Sequence, residues 1–257
     1  MGNESSLLAA DEPAAFQVER EQGRSPFFLT CDHASAKVPR RLKSLGVPAQ
    51  HLQRHIAWDI GAAAVATRLA KRLDAFLILQ NWSRLVIDCN RPPGSAQSIL
   101  RLSENTRIPG NESLSPDEVL AREVEIFRPY HNRIQAALDL RQAQGRPTIL
   151  IALHSFTPTL HGMRRPWHAG LLYNRDRRLA EALLPILRAD ADLVVGDNEP
   201  YAVSDSTDYT IPVYGERRGL LHVGIELRQD LIADDAGQER WSERLEQALR
   251  TACGQFE

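Results

Sequence analysis

Four side chains in this sequence have the chemistry of a hydrolytic zinc site. They are His33, Asp59, His154 and Glu226. Such a site needs about three nitrogen or oxygen ligands and leaves one position for water. Two histidines and one carboxylate could hold the metal, and the second carboxylate could take a proton from the water. The alternative is coincidence, because a chain with eight histidines places some of them at strand ends, and these four residues form no spacing motif.

Apolar, β-prone stretches lead into polar clusters at four places in the chain. The stretches are residues 26–31, 83–87, 148–153 and 221–225, and the clusters that follow them are Asp32-His33, Asp88 to Arg91, His154-Ser155 and Glu226. The stretch before His154 is apolar on both faces, which is typical of a strand covered from both sides. Ligands bind at the carboxyl edge of such sheets, so one edge could collect all four clusters. His154 could instead only cap its strand by bonding to a neighbour.

The segment Asp88-Cys89-Asn90-Arg91 indicates how a substrate could be bound. An arginine that is fixed by an aspartate and flanked by an asparagine can bind a carboxylate in a planar, bidentate way. The more ordinary role of the same residues is an Asp–Arg pair that stabilises a turn. From the local pattern, both interpretations stand.

Helical patterns separate the strands. Residues 62–73 have apolar side chains at four-residue steps, which predicts a helix with Asp59 near its amino end, either as a cap or at a site. Further helices are predicted at residues 115–143, with a bend near Pro129, and at 177–188 and 236–252. The alternation of strand and helix predicts one α/β domain over residues 25–257, a three-layer α/β/α sandwich with a mixed, mostly parallel central sheet. Residues 1–24 are predicted to be a flexible N-terminal arm.

Composition excludes several classes of function. Lys and Arg total 31 against 33 Asp and Glu, so the net charge of -2 gives no reason to expect a nucleic-acid partner. Arginine pairs such as Arg164-Arg165 are usually solvated surface, with anion capture as the alternative. No apolar run approaches the roughly 18 to 20 residues that span a bilayer, so no membrane partner is expected. Three cysteines without CxxC spacing, and an acidic start without a secretory signal, predict a cytoplasmic protein.

Taken in order, six segments of the chain resemble the N-formylglutamate amidohydrolase family. They are residues 32–35, the region of Asp59, and residues 83–91, 153–156, 196–201 and 218–230. The resemblance spans about residues 26–232. It implies hydrolysis of the formamide of N-formyl-L-glutamate to formate and glutamate. It also implies a fold related to the zinc carboxypeptidases and aspartoacylases, which is a phosphorylase/hydrolase-like fold.

The resemblance gives roles to individual residues. His33 resembles the first metal ligand and His154 the late one, with Zn²⁺ or another divalent metal as the cofactor. Glu226 resembles the general base, which activates water and then passes the proton to the leaving amine. Asn90 and Arg91 resemble the pair that binds the substrate carboxylate. The substrate pocket is then expected to contain Arg84, Asn90, Arg91, Ser155 and Tyr209.

At two positions the sequence departs from the relatives. In the carboxypeptidases the second ligand is a glutamate three residues after the first histidine, but here that position is Ala36. We therefore expect Asp59 to supply the carboxylate ligand, with Asp32 as the alternative. Tyr214 stands where the closer family members are expected to have histidine, which could shift the substrate preference.

The sequence thus predicts a metal-dependent amidohydrolase acting on N-formyl-L-glutamate or a similar small, acidic N-acyl amino acid. One alternative is a hydrolase of another N-acyl amino acid or of a small peptide-like amide. A second is a metal-free carboxylate-binding protein on the same fold, in which no carboxylate would meet the two histidines. A third is Ser-His-Asp chemistry through Ser35 or Ser155, although neither serine lies in a GxSxG turn.

Overall fold

A seven-stranded sheet organises the chain in a computed structural model that describes residues 6–256. The strands are β1 Phe16–Glu19, β2 Phe27–Cys31, β3 Phe76–Gln80, β4 Leu102–Ser103, β5 Thr106–Arg107, β6 Ile149–Phe156, β7 Thr159–Leu160, β8 Met163–Arg164, β9 Ala169–Leu172, β10 Val195–Asp197 and β11 Leu221–Arg228. The α-helices are α1 Ala49–Leu52, α2 Ala62–Leu73, α3 Pro116–Arg122, α4 Arg128–Ala143, α5 Arg178–Arg188 and α6 Asp235–Cys253. The pairs β4–β5 and β7–β8 form separate small hairpins.

The strand order in the central sheet is β1-β3-β2-β6-β11-β9-β10. Parallel pairing joins β3 to β2, β2 to β6, β6 to β11 and β9 to β10, while β1 and β9 run antiparallel to β3 and β11. The predicted mixed, mostly parallel sheet is confirmed. Because β2, β6 and β11 are parallel neighbours, their carboxyl ends meet at one edge.

Helices cover both faces of the sheet. All eight residues of β6 are buried, as the apolar run in the sequence predicts. On one face, α2, α5 and α6 pack with Leu29, Ile151 and Ile225. On the other face, α4 packs with Phe28 and Leu150. The layers are those of the predicted α/β/α architecture.

The predicted strand over residues 83–88 is wrong. The chain there forms turns, in which the amide of Val86 donates to the carbonyl of Ser83 at 2.9 Å. The Ser83 hydroxyl donates to the carbonyl of Ala57 and accepts from the amide of Leu85. These local bonds satisfy the backbone without a ladder, while burial of the apolar side chains gives the stretch the composition of a strand.

The helix predicted over residues 115–143 is interrupted. Its start is confirmed, since Ser115 and Glu118 form the expected capping box. A π-helical turn, Glu123–Phe127, then separates α3 from α4. The interruption lies directly before Pro129, which has no amide hydrogen to continue the bonding pattern.

The described part of the predicted N-terminal arm is in contact with the domain. Strand β1 lies at the edge of the central sheet, and Glu125 accepts hydrogen bonds from the amides of Leu7 and Leu8. Residues 1–5 of the predicted arm lie outside the described residues. Among residues 6–256, no helix is long and apolar enough to cross a membrane.

Candidate active site

Two imidazole rings and one carboxylate meet at the carboxyl edge of the sheet. Asp59 Oδ2 lies 3.2 Å from His33 Nδ1 and 2.9 Å from His154 Nδ1. One donor atom of each residue lies within 4.8 Å of the others, and all three side chains are buried. The structure therefore brings together the three residues that were expected to hold a metal, and Asp59 is the carboxylate that both histidines share.

Local backbone structure fixes these three side chains. His33 follows β2, and His154 lies within β6, the parallel neighbour of β2. The amide of Asp59 donates to the carbonyl of His33 at 2.9 Å, which ties the start of α2 to the end of β2. The chain enters α2 through Gly61 at φ +79°, where an added Cβ would lie 2.3 Å from the carbonyl oxygen of Ile232. Only glycine fits this approach.

A second pair of carboxylates contacts the far nitrogens of the histidines. Asp88 Oδ1 lies 2.7 Å from His33 Nε2, and Asp32 Oδ2 lies 3.5 Å from His154 Nε2. A carboxylate at this position fixes the orientation and the tautomer of a metal-binding imidazole. With Nε2 of each ring facing Asp88 or Asp32, Nδ1 is left to face Asp59.

Each of these outer carboxylates is itself held by donors. Asp32 accepts from the Tyr130 hydroxyl at 2.6 Å and from Thr210 Oγ1 at 2.8 Å. Asp88 accepts from Nη2 and Nε of Arg84 at 2.7 and 3.0 Å. Burial alone would raise the pKa of Asp88, but the Arg84 guanidinium and His33 hold that pKa well below its usual range. Asp88 is therefore an anion in the folded protein.

Glu226 differs from the other carboxylates at the site. It lies on β11, directly beside His154 of β6 in the parallel register and opposite Gly170 of β9. Its Oε2 is buried and has no hydrogen-bond partner among the described residues. Burial raises the pKa of Glu226 to about 7, against the lowering effect of His154. A carboxyl group with this pKa can accept and return a proton near neutral pH.

The donor set fits a divalent metal. Zinc accepts imidazole nitrogen and carboxylate oxygen at about 2.0 to 2.2 Å, and two ligands of a tetrahedral ion are then about 3.3 Å apart. The distances from Asp59 Oδ2 to the two Nδ1 atoms, 3.2 and 2.9 Å, are close to that spacing. Three protein donors also leave a position for water or substrate, as catalytic zinc sites require.

A cavity of about 350 Å³ opens over these residues. Its volume is at the lower end of the range for small-molecule sites, roughly 300 to 1,000 Å³. Besides the groups already described, its walls include Asn90, Arg91, Gln97, Leu172, Tyr201 and Ile211. The cavity combines a reactive base of histidines and carboxylates with arginines at its walls.

Residues 25–233 match the N-formylglutamate amidohydrolase family. The chain belongs to this family. It is therefore an enzyme that hydrolyses amide bonds, and the family predicted from the six segments is confirmed.

Two solved structures resemble the chain over nearly its whole length. The gene product Atu2144 from Agrobacterium tumefaciens is 38% identical with a TM-score of 0.94, and the match covers 97% of this chain and 99% of that one. N-formylglutamate amidohydrolase from Ralstonia eutropha JMP134 is 18% identical with a TM-score of 0.67, over 93% of this chain and 97% of that one. At 18% identity the second likeness concerns the fold. No curated protein sequence matches.

The three residues expected to bind the substrate carboxylate all line the cavity, but they differ in how many of their polar atoms are already hydrogen-bonded within the protein. Arg84 directs its guanidinium at Asp88, with Nη1 at 3.5 Å from Asp59. Asn90 Oδ1 accepts from the amides of Tyr209 and Thr210 at 3.0 and 3.1 Å, so this side chain holds a neighbouring loop. Arg91 donates through Nη1 to two backbone carbonyls and has Asp208 Oδ1 at 3.6 Å from the same nitrogen, while its Nη2 and Nε have no hydrogen-bond acceptor among residues 6–256. Arg91 is therefore the most available of the three.

Two other residues from the sequence analysis, Ser155 and Tyr209, have mainly structural contacts. The Ser155 hydroxyl donates to the carbonyl of Ile60 at 2.9 Å, and the Ser155 amide points at Asp59. The Tyr209 ring packs against Phe127 rather than lining the cavity.

Tyr214 is buried, and its hydroxyl donates to the carbonyl of His131 at 3.0 Å. Like Tyr209, it is not among the residues that line the cavity. Among the described residues, neither the Ser155 nor the Ser35 hydroxyl bonds to a histidine, so the geometry gives no support to Ser-His-Asp chemistry.

Sequence reasoning missed the outer carboxylates. Asp88 was assigned to a substrate-binding motif, and Asp32 was considered only as a metal ligand. A signal was available for both, because each begins a polar cluster at the end of an apolar stretch. Which cluster contacts which could not be derived from the chain order alone, since the contacts join residues 55 positions apart in one case and 122 in the other.

Proposed function

We propose that this enzyme is a metal-dependent deformylase of N-formyl-L-glutamate, or of a closely similar N-acyl acidic amino acid. The observation that carries the proposal is the position of Glu226, a buried carboxyl group whose Oε2 has no hydrogen-bond partner among residues 6–256, beside a three-donor metal site at the base of a small cavity. Membership of the N-formylglutamate amidohydrolase family supports the choice of the amide.

His33, Asp59 and His154 are the residues that would hold the metal. When bound, a divalent ion such as Zn²⁺ polarises the amide carbonyl and acidifies water. Asp88 and Asp32 keep the imidazole rings in the orientation that such an ion needs, because they occupy the opposite ring nitrogens.

Glu226 moves the proton in the proposed reaction. Its carboxylate takes a proton from water while the water oxygen forms a bond to the formyl carbon. The C–N bond then breaks, and Glu226 returns the proton to the departing amine. The products are formate and the free amino acid. A pKa near 7 suits both halves of this exchange, since the same group must act as base and then as acid.

Arg91 anchors the acidic end of the substrate. Its Nη2 and Nε have no hydrogen-bond acceptor among residues 6–256, and the Asp208 carboxylate lies 3.6 Å from Nη1. Arg84, by contrast, is already bonded to Asp88 and close to Asp59. We therefore assign Arg84 to positioning and Arg91 to the substrate carboxylate. A guanidinium–carboxylate pair can be bidentate, which would orient the substrate as well as bind it.

The test is zinc content by elemental analysis together with formate release from N-formyl-L-glutamate, before and after chelation. The proposal expects about one metal ion per chain and formate release that is lost with the chelator and restored by zinc. His154→Ala should lose both metal and activity. His161→Asn, a change at an exposed histidine, is the matched control and should lose neither.

The outcomes separate the alternatives. Metal without formate release, but with turnover of N-acetyl-L-glutamate or another N-acyl amino acid, would retain the metal site and replace the substrate. Formate release that persists in metal-free protein would contradict metal dependence.

A further inference from the structure

Arg165 is a buried arginine without a carboxylate partner. It retains 9% of its surface, and among residues 6–256 no Asp or Glu lies within ion-pair distance of it. Among the same residues its side chain makes one hydrogen bond, from Nη1 to the Tyr201 hydroxyl at 2.7 Å. By contrast, Arg122, which is also buried, donates to two carbonyls and to an amide oxygen. Buried charges are normally paired, so Arg165 has capacity for an anion.

The partner of Arg165 connects it to the active site. Tyr201 lines the cavity, and the Arg165 guanidinium lies 4.8 Å from the centre of the Tyr201 ring. The centre of the Phe156 ring lies 5.7 Å from the same guanidinium. The two rings hold the charge in an apolar setting, where a bond to a carboxylate is stronger than in water.

Two glycines place Tyr201 over the end of the sheet. A Cβ on Gly170 would lie 1.9 Å from the carbonyl oxygen of Glu199, and one on Gly196 would lie 2.6 Å from the same atom. The loop can therefore rest directly on β9 and β10. Gly170 is also the register partner of Glu226, so this loop reaches the cavity next to the proposed general base.

We propose that Arg165 and Tyr201 form a second carboxylate-binding subsite, which takes one of the two carboxylates of a dicarboxylic substrate while Arg91 takes the other. The inference rests on the proposed function, because it requires an acidic amino acid as the product. N-formyl-L-glutamate has two carboxylates, and Arg84 is neutralised by Asp88 and Asp59. Two cationic groups at separate places are needed. Arg91 keeps Nη2 and Nε without an acceptor among residues 6–256, although Asp208 lies 3.6 Å from its Nη1, and Arg165 has no carboxylate within ion-pair distance in the same residues.

The adjacent residue supplies a matched control. Arg164 is exposed at the end of β8, whereas Arg165 is buried, so the two arginines of this pair differ in environment and not in chemistry. Arg165→Gln removes the charge and keeps a polar, though shorter, side chain. Tyr201→Phe removes only the hydroxyl, and Arg164→Gln changes the net charge by the same amount as Arg165→Gln.

The measurement is kcat and KM for three substrates. They are N-formyl-L-glutamate and its two monoamides, in which a primary amide replaces either the side-chain carboxylate or the α-carboxylate. Arg165→Gln should lower kcat/KM for the diacid by about 10- to 100-fold, mainly through KM, because a hydrogen-bonded charge pair is lost. It should lower kcat/KM by the same factor for the monoamide that keeps the carboxylate bound by Arg165. For the other monoamide, which already lacks that carboxylate, kcat/KM should stay within about 3-fold of the wild-type value. Tyr201→Phe should show the same pattern more weakly, and Arg164→Gln should match the wild type.

Equal loss on all three substrates would overturn the subsite and make Arg165 structural. If the wild type hydrolyses none of them, the proposed function fails, and calorimetric titration of the full chain with glutarate and its monoamide then tests the subsite alone. The subsite requires that glutarate binds the wild type and binds Arg165→Gln at least about 10-fold more weakly. Unchanged binding, or none to the wild type, would overturn it.

Discussion

Among the described residues, charged side chains in the inner part of the cavity are paired, whereas those in the outer part keep unused hydrogen-bond donors. We call His33, Asp59 and His154, together with Asp32 and Asp88, whose carboxylates face the two imidazole rings, the floor. Arg91 and Tyr201, which line the cavity, and Arg165, which bonds to Tyr201, are called the rim. In the floor, each imidazole faces a carboxylate on both nitrogens, and each carboxylate has further donors. At the rim, among residues 6–256, Arg165 has no carboxylate within ion-pair distance, and Arg91 has one, Asp208 Oδ1, at 3.6 Å from Nη1, so both guanidinium groups keep donors without a partner.

This difference assigns the positioning of the metal donors to the floor and the recognition of the substrate to the rim. Floor side chains bonded on all sides cannot reorient without breaking several buried hydrogen bonds, which keeps metal donors in place before substrate arrives. Rim side chains with unused donors gain their missing bonds only from a ligand. Changes in the floor should therefore act on metal binding and kcat, and changes at the rim should act on KM and selectivity.

The largest expected effect is that of Asp59→Asn in the floor. Both Nδ1 atoms converge on its Oδ2, so the change removes the shared anion while it keeps the side-chain size. We expect zinc to be lost and formate release to fall by at least about 1,000-fold. Elemental analysis and initial rates measure both, with exposed Asp205→Asn as control. Stoichiometric zinc in Asp59→Asn would remove this residue from the ligand set.

Glu226→Gln should separate catalysis from metal binding. Zinc content should stay at the wild-type level, while kcat falls by about 100- to 10,000-fold because the general base is absent. In the wild type, activity should decline as pH falls and Glu226 becomes protonated. The free protein has a pKa of about 7 for this group, and a nearby cation lowers it, so the acid limb should lie at or below pH 7. Residual activity in Glu226→Gln that keeps this limb would assign it to another group.

Asp88→Asn and Asp32→Asn test whether the outer carboxylates orient the ligands. Each change keeps the shape but weakens the hold on one histidine, so zinc affinity should fall by about 10- to 100-fold in each variant. Competition with a fluorescent chelator gives the dissociation constants. Wild-type affinity together with reduced kcat would mean that these residues act on the substrate instead.

Much of this arrangement could be predicted from the sequence, because it follows from local patterns. The apolar run before His154 predicted a fully covered strand, and the four-residue periodicity of residues 62–73 predicted α2 with the bounds that the structure has. Family resemblance, a separate source of information, gave roles to His33, His154 and Glu226, and the departure at Ala36 led to the expectation of Asp59. The strand and the helix were inferred from the pattern alone. These inferences need only the chain direction, the period of each element and the rule that parallel strands share a carboxyl edge.

The rest depends on contacts that local patterns do not contain. Residues 83–88 have the composition of a strand, but Ser83 bonds to Ala57 and turns the chain instead. Arg164 and Arg165 are the same residue type in sequence, and only the three-dimensional position of Tyr201 distinguishes the buried one. Long-range packing decides both cases, and packing overrides composition at such places.

Arg91→Gln sharpens the comparison at the rim. Loss of the guanidinium should raise KM for N-formyl-L-glutamate about 10-fold and leave kcat within about 3-fold, since the floor is untouched. Arg165→Gln should lose the preference for the diacid over the monoamide that lacks the carboxylate bound by Arg165. Arg91→Gln should instead lose the preference for the diacid over the other monoamide. Steady-state kinetics on both monoamides provide the check. A fall in kcat with unchanged KM would place Arg91 with the floor.

Tyr130→Phe should have the smallest effect, because it acts through two intermediate groups. Its hydroxyl donates to Asp32, which in turn faces His154. Asp32 would keep Thr210 as a donor, so His154 should lose only part of its support. We expect zinc affinity to fall about 2- to 5-fold, which is less than in Asp32→Asn, where the carboxylate itself is lost. The same chelator competition measures both variants. If Tyr130→Phe weakened zinc as much as Asp32→Asn, the hydroxyl would be essential to the carboxylate's position, and the floor would act as a single unit rather than as successive layers.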